Sequence, residues 1–355
     1  MPLGLGLGIT KLKSLVSGLR VRFQGNATIT AALDGILRDL SADFVSNGTV
    51  TAALEAIKLL DVDFSGDGTL TADLASFEGL LDLYPNAAAA YSVRLLKTDY
   101  TGALVRIRKD TGGQPEKDFY PDENNELSLN SSDGGTTLGS WIGSNDGYIV
   151  TWYDQSGNSS NATQSSASSQ PQILSGGVLN TINGKASINY NGTSHFLENT
   201  SFNALDGSLN GFLFAVTTTA DVTQNNKNIV ENTESTTANG YGIRYSNNKV
   251  GSIILTSTGS ISLNGSAISN NAQYLFTLTK NSTQATLSTN QNVDDTAANI
   301  GTINAGSNTM RLSSFSNIFT NYAENKQQEI VIYDNDQTSN VNSIENNIND
   351  FFTIF

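Results

Sequence analysis

The chain contains no cysteine, a single histidine (His195) and few charged residues. Without cysteine it forms neither disulfides nor thiolate metal sites, and any serine–histidine or histidine–metal mechanism would depend on one imidazole. Lys and Arg total 19 against 33 Asp and Glu, for a formal net charge of -14. Because binding to a phosphate backbone requires clustered Lys and Arg, this composition argues against a nucleic-acid partner.

Long apolar runs are also missing, since no stretch approaches the ~20 apolar residues of a membrane span. Residues 1–9 are apolar but interrupted by glycine, and no basic leader precedes them. We therefore expect that the chain does not insert into a membrane. We also expect that it is synthesised in the cytoplasm without a signal peptide. Residues 1–18 are too short to fold alone, and we predict that they anchor the chain in a partner.

Residues 19–86 contain a threefold repeat. Segments that begin at Phe23, Phe44 and Phe64 align without gaps. Each unit predicts an extended piece, a Gly/Asn/Asp turn and a threonine-capped helix, so together they form a small α/β repeat stalk. The helices are expected at residues 31–40, 52–60 and 72–81, after Thr30, Thr51 and Thr71.

A repeat of this size cannot bury its own apolar face. We expect the repeats to associate side by side in a homo-oligomer, in the form of a trimeric stalk, with an intrachain helical bundle as the alternative. The predicted oligomerisation residues are Phe23, Phe44, Phe64, Leu33, Leu54 and Leu74. Residues 61–69 imitate the start of a calcium loop, but its twelfth position is Ala72 rather than a bidentate Glu. We interpret that stretch as a turn and expect no cofactor, with calcium as the alternative.

The remaining part, residues 87–355, consists of short alternating segments separated by turn residues. Examples are residues 211–216, 251–255 and 329–333. Strands at this spacing predict a mainly β domain, most simply a jelly-roll sandwich of two antiparallel sheets. A helix is predicted near the end, at residues 340–352, where apolar residues recur at helical spacing.

The segment YIVTWYDQSGN at residues 148–158 predicts a buried strand that ends abruptly in a turn. Its polar groups could bind a sugar, with an aromatic ring as the stacking face. The predicted ligand-binding residues are Trp152, Tyr153, Asp154, Gln155 and His195. The structural alternative is an Asx turn at Asp154, aromatic rings in the core and a satisfied imidazole at a strand start.

Two blocks, residues 90–108 and residues 146–164, carry a family resemblance. They resemble the arabinofuranosidase-B-type catalytic domain and blocks of many bacteriophage virion proteins described as tail-fibre, head-fibre or lectin-like. The resemblance implies a concanavalin-A-like (LamG) jelly roll. It also implies a virion fibre protein whose lectin-like domain attaches to host-surface glycans, while residues 1–18 contact other virion proteins.

The hydrolase relatives use two carboxylates in a cysteine-containing region downstream of the second block. This chain has no match to that motif, and nothing but acidity marks Glu231 and Glu234. We therefore predict no enzyme and no catalytic or metal-binding residue. The alternatives are a glycoside hydrolase acting on host polysaccharide and a ligand-free capsid decoration protein. Ion pairs with the acidic loop 118–126 are expected for Arg94, Arg106 and Arg108.

Overall fold

In this computed structural model the chain divides into two compact units, Met1–Glu78 and Gly79–Phe355. Up to residue 76 the structure describes only the backbone of the strands given below. From residue 77 it describes all residues except 236–238, 299–300, 305–308 and 315–320, and the side chains of residues 233–235 and 239 also lie outside the described set. No helix in the described residues is long and apolar enough to cross a membrane.

The described residues of the first unit form short strands that alternate between two parallel sheets. The strands are β1 (Ile9–Thr10), β2 (Leu19–Phe23), β3 (Ala27–Leu33), β4 (Leu37–Phe44), β5 (Gly48–Leu54), β6 (Ile57–Phe64) and β7 (Thr69–Leu74). One sheet has the order β1-β3-β5-β7 and the other β2-β4-β6, with all pairings parallel. Each repeat contributes one strand to each sheet, which is the organisation of a β-solenoid.

The helices predicted at residues 31–40, 52–60 and 72–81 are wrong, because these segments contribute to strands β3 to β7. Thr30, Thr51 and Thr71 occupy the same register position in successive strands. The alternation around them, Thr-Ile-Thr, Thr-Val-Thr and Thr-Leu-Thr, suits a pleated strand. Stacking like residues on like outweighs the helix propensity of the Ala-rich segments that follow. The described part of the repeat unit is therefore β rather than α/β.

The predicted oligomerisation residues occupy equivalent positions in successive coils of one chain. Register partners are Phe23, Phe44 and Phe64 in one sheet and Leu33, Leu54 and Leu74 in the other. Their side chains lie outside the described residues, so their role in oligomerisation stays a prediction. The same holds for anchoring by residues 1–18, of which only β1 is described, and for calcium binding near residues 65–68, which also lie outside the described set.

The second unit is mainly antiparallel β. Its strands are β8 (Ala89–Ser92), β9 (Val105–Lys109), β10 (Glu116–Phe119), β11 (Gly147–Trp152), β12 (Ala162–Thr163), β13 (Gln172–Ser175), β14 (Val178–Leu179), β15 (Thr181–Ile182), β16 (Lys185–Ala186), β17 (Ile188–Asn191), β18 (Leu197–Asn199), β19 (Gly211–Thr219), β20 (Lys227–Ser235), β21 (Asn239–Ser246), β22 (Lys249–Thr256), β23 (Gly259–Ala267), β24 (Gln273–Lys280), β25 (Gln284–Thr289), β26 (Asn292–Ala298), β27 (Met310–Leu312) and β28 (Glu324–Tyr333). Its helices are α1 (Leu80–Leu83), α2 (Leu138–Ile142) and α3 (Val341–Phe352).

These strands fold into two layers, which confirms the predicted β-sandwich of jelly-roll type. One layer runs β26-β25-β24-β19-β28 and continues through β17, β13, β11 and β9 to β10. The other, which we call the β20 layer, runs β12-β18-β27-β20-β21-β22-β23. A contact of Tyr241 joins the two layers: its hydroxyl on β21 lies 2.6 Å from the Gly211 carbonyl of β19 and 2.7 Å from the Leu278 carbonyl of β24. One apolar core fills the space between the layers.

Helix α3 confirms the predicted C-terminal helix to within one residue. Ile344, Ile348 and Phe352 recur at helical spacing and are fully buried. On the same face the Glu345 carboxylate accepts a hydrogen bond of 2.6 Å from the Thr277 hydroxyl of β24. The helix therefore packs on the outside of the layer that contains β24.

Candidate functional site

The turn after β11 is held by the Asp154 carboxylate. Oδ1 accepts hydrogen bonds from the backbone amides of Ala90 (2.8 Å) and Ser156 (2.9 Å). Oδ2 accepts from the Ser156 hydroxyl (2.7 Å) and the Ser160 amide (3.0 Å). The residue is only 5% exposed. This is the predicted Asx turn, and it also fixes the turn to β8.

Gln155 and Trp152 are committed to the same junction. Gln155 Oε1 accepts from the Leu96 amide (2.8 Å), and its Nε2 donates to the Arg94 carbonyl (2.9 Å). The buried Trp152 indole donates to the Ser92 carbonyl (3.1 Å). Ligand contact by this strand end and turn stays a prediction, and the geometry favours the structural alternative.

Tyr153 and His195 are the two candidates that keep some exposure. The Tyr153 hydroxyl donates to Asp118 Oδ1 at 2.7 Å, and burial together with that bond raises the pKa of the phenol to about 12. His195 precedes β18, and its ring meets Tyr148 edge-on at 6.5 Å. Burial lowers the pKa of the imidazole, while a backbone hydrogen bond with Asn189 opposes that effect. Since Tyr148 lies at the start of β11, His195 packs at the opposite end of that strand from Asp154.

The side chain of Arg94 forms its ion pair outside the acidic loop 118–126, contrary to the prediction, although the backbone of Arg94 bridges to Glu126. Its guanidinium forms two hydrogen bonds with the fully buried Glu329 of β28, Nε to Oε2 at 2.8 Å and Nη2 to Oε1 at 3.0 Å. It also lies 5.0 Å from the centre of the Phe351 ring of α3. The reason is the antiparallel pairing of β8 with β28, a long-range contact that brings the two ends of the domain together.

Of the other two arginines, Arg106 forms the predicted ion pair with the acidic loop and Arg108 does not. Arg106 pairs with Asp118 through two bonds of 2.9 and 2.8 Å, as predicted. Arg108 instead donates to Gln170 Oε1 at 2.6 Å and to Asp110 at 3.1 Å. The antiparallel β9–β10 hairpin places Asp118 opposite Arg106. The residue opposite Arg108 is Glu116, which lies at the exposed end of β10 and outside the acidic loop.

Beside the Asp154 turn, the second unit contains an open cleft of about 590 Å³. Part of its wall is apolar and comprises Leu81, Pro85, Ala87, Ala88, Phe202 and Ala204. The polar lining comprises Asn86, Lys97, Ser156, Asn158, Ser160, Ser201, Asn203, Asp334 and Asn335. The cleft therefore offers amides, hydroxyls, one carboxylate and one ammonium group next to apolar surface.

Hydrogen bonds to the backbone hold two of the cleft amides in place. Asn158 Nδ2 donates to the Ala87 carbonyl at 2.9 Å, and Asn335 Nδ2 donates to the Asn86 carbonyl at 3.0 Å. Asn86 has a left-handed backbone conformation, with φ of 66°, which asparagine tolerates better than most residues. Side chains fixed in this way are preorganised for a ligand rich in hydroxyl groups.

Sequence reasoning missed the cleft residues. Asn86 follows Pro85, and Asp334 and Asn335 follow the last strand, which are ordinary signals for turns. Nothing in the sequence indicates that these turns meet Asn203 and the Asp154 turn. The pairing of β8 with β28 brings the Asn86 turn next to Asp334 and Asn335.

The outer side of the β20 layer carries a second group of polar residues. Glu198 of β18, Arg311 of β27 and Glu231 of β20 are register partners on adjacent strands. Burial raises the pKa of Glu231 to about 8, while the charge of Arg244 opposes that shift. The side chain of Glu234 lies outside the described residues. Within the described part of the chain, no three acidic or histidine side chains converge on a metal site.

No family model matches this chain, and no curated protein sequence matches it either. Solved structures do. An arabinofuranosidase complexed with arabinofuranosyl-α-1,2-xylobiose is 15% identical, covers 74% of this chain and has a TM-score of 0.52. A GH54 α-L-arabinofuranosidase soaked with a cyclic sulfate inhibitor has the same identity and coverage and a TM-score of 0.50.

This chain covers 62% of the length of each of these enzymes. At 15% identity the likeness shows the fold alone, a β-sandwich of the arabinofuranosidase type. It confirms the fold that the blocks at residues 90–108 and 146–164 implied. It does not transfer the activity.

Proposed function

We propose that the second unit is a glycan-binding module and that the cleft beside the Asp154 turn is its site. The observation that carries the proposal is the lining of the 590 Å³ cleft. Amides and hydroxyls donate to and accept from sugar hydroxyls, and the neighbouring apolar wall can contact the C–H face of a sugar ring. Asp154 and Gln155 act indirectly, because they hold the turn that supplies Ser156 and Asn158.

We further propose that this module is displayed on a phage virion fibre, head or tail, for attachment to host-surface glycans. The support is the resemblance of residues 90–108 and 146–164 to virion proteins, together with the solenoid repeats, which suit a fibre shaft. A homotrimer would multiply weak contacts with single sugars into useful avidity. In this arrangement residues 1–18 join the chain to other virion proteins.

A glycan array probed with the full chain tests the proposal. We expect a defined set of glycans to bind, and the signal to fall in Asn203→Ala and Asp334→Ala, which remove polar groups from the cleft. Asn130→Ala is the matched control, since Asn130 is exposed and lies outside the cleft. An array on which no neutral glycan binds, or neutral-glycan signals that survive both cleft variants, would contradict the assignment.

A second candidate is a glycoside hydrolase, and Glu231 is the observation that favours it. A carboxyl with a pKa of about 8 is protonated at neutral pH and can serve as a general acid. Glu198 lies two strands away in the same cross-strand row, roughly 10 Å between Cα atoms by strand spacing. Release of reducing ends from arabinan or xylan that is lost in Glu231→Gln but kept in Glu116→Gln would establish this activity.

A further inference from the structure

The outer side of the β20 layer contains a group of hydrogen-bond donors that the cleft does not use. By register, Arg244 of β21 lies opposite Asn228 of β20, and Glu231 of β20 lies opposite Gly242 of β21. The side chains of Tyr241, Ile243 and Tyr245 are buried in the core. Strand alternation therefore places Gly242 and Arg244 on the outer side.

The neighbouring Arg311 forms an ion pair with Glu198. Arg311 donates from Nε to Glu198 Oε2 at 2.8 Å, and its Nη2 lies 2.8 Å from the same oxygen. The guanidinium also stacks 5.1 Å from the centre of the Phe196 ring, which lies 6.3 Å from the ring of Tyr322. The charge that acts on the carboxyl of Glu231, on the next strand, is that of Arg244.

Glu231 and Arg244 are close enough to influence each other's charge, yet no ion pair or hydrogen bond between side chains joins them in the described part of the chain. The charge of each group favours the ionised form of the other, whereas burial disfavours the ionised form of both. Burial lowers the pKa of Arg244 and raises that of Glu231 to about 8, so at neutral pH the carboxyl is a donor. A bridging group with acceptor oxygens would satisfy both side chains.

Asn228, the register partner of Arg244, supplies a third donor. It is 3% exposed, and its Nδ2 is buried with no hydrogen-bond partner among the described residues. A buried amide nitrogen left without a partner costs free energy that a ligand oxygen can recover. Glycines lie opposite two of these groups, Gly242 opposite Glu231 and Gly251 opposite Arg244, so the facing positions contribute no side chain of their own. The backbones approach closely at Gly242, where a Cβ atom would lie 3.2 Å from the Cβ of Glu231.

We propose that Asn228, Glu231 and Arg244 form a second binding site, which takes the carboxylate group of an acidic sugar of the uronic-acid class. A guanidinium and two neutral donors suit a carboxylate, which only accepts hydrogen bonds. Tyr322, half-buried beside Phe196, lies at the edge of this group and can contact the sugar ring. The assignment of this carboxylate to a sugar rests on the proposed glycan-binding function. The recognition of a carboxylate by these three residues does not.

The titratable and charged groups around the site determine its pH dependence. Arg244 and Arg311 are positive, and Glu198 is paired with Arg311. As the pH rises through about 8, Glu231 loses its proton, stops donating and repels the bound anion. Binding is therefore expected to be strong below that pH and to weaken above it.

NMR-detected titration of the full chain with D-glucuronate, D-glucose and acetate tests the proposal. At pH 6.5 glucuronate should bind at least roughly tenfold more tightly than either reference, as expected for combined carboxylate and ring contacts. Arg244→Gln should weaken glucuronate binding by roughly tenfold or more, whereas Lys249→Gln, an exposed lysine on β22, should leave it unchanged. Glu231→Gln should retain binding and abolish its loss between pH 7 and pH 9.

Equal binding of glucose and glucuronate, or an Arg244→Gln variant that binds like wild type, would overturn the proposal. Acetate binding as tightly as glucuronate would overturn the assignment to a sugar. The cleft variant Asp334→Ala should not affect glucuronate binding, so failure of this site and failure of the cleft are distinguishable.

Discussion

Glu231→Gln should make the unfolding free energy of the second unit less sensitive to pH. The pKa of Glu231 is about 8 in the folded chain against an ordinary value of 4.5. The folded state therefore holds the proton of Glu231 more tightly. The contribution of Glu231 to the unfolding free energy is complete below pH 4.5 and is lost as the pH rises towards 8. The glutamine variant cannot ionise and lacks this dependence.

The magnitude follows from about 1.4 kcal/mol for each pH unit between the two pKa values, so wild type should lose roughly 3 kcal/mol relative to the variant between pH 5 and pH 8. The figure is an upper bound, because Glu231 keeps part of its surface in solvent. All other titrating groups are common to both proteins and cancel in the difference.

Urea denaturation followed by tryptophan emission is the appropriate assay. Trp141 and Trp152 are the chain's two tryptophans and both lie in the second unit, so the signal reports on that unit. Glu116→Gln, an exposed carboxyl on β10, is the matched control. If wild type and Glu231→Gln keep a constant stability difference from pH 5 to pH 8, Glu231 titrates normally and the reasoning fails.

Three further predictions concern stability and use the same assay at pH 7. Asp154→Ala should lower the unfolding free energy by about 3 kcal/mol, because four hydrogen bonds to the turn are lost; a loss below about 1 kcal/mol would mean that the turn holds without them. Glu329→Gln should cost about 3 kcal/mol or more, since it leaves Arg94 buried without its counter-charge, and unchanged stability would contradict the buried pair. Gly177→Ala should cost about 1 to 3 kcal/mol, because φ is +82° there and the new methyl group would meet the Gly143 carbonyl; a neutral effect would rule out that close approach.

The β-sandwich and helix α3 were predictable because their patterns are local. Residues 211–216 and 329–333 are short apolar segments between turn residues, and Ile344, Ile348 and Phe352 recur at helical spacing. The Asx turn at Asp154 was likewise visible, because the bond from Ser156 spans two residues. In each case the signal in the sequence comes from residues that are close together in the chain.

The repeats were mispredicted because two local preferences compete in them. The Ala-rich runs after Thr30 and Thr51 favour helix, whereas the Thr-x-Thr alternation favours strand. The outcome depends on stacking between successive coils, in which Thr30 meets Thr51 at a distance of one repeat. A single repeat does not contain that information.

Neither candidate site could be assembled from the sequence. The cleft requires β8 and β28 to pair, which joins Asn86 to Asn335 across almost the entire second unit. The polar group on the outer side of the β20 layer requires β27 to lie between β18 and β20. Arg311 is then the register partner of both Glu198 and Glu231. Strand order of this kind is a property of the fold and not of any one segment.

A structure of the full chain with the tightest-binding neutral glycan from the array tests the central claim most directly. We predict that a neutral sugar lies in the cleft beside the Asp154 turn, with hydrogen bonds to Asn203 or Asp334. Sugar bound elsewhere on the second unit, with the cleft empty, would contradict the account.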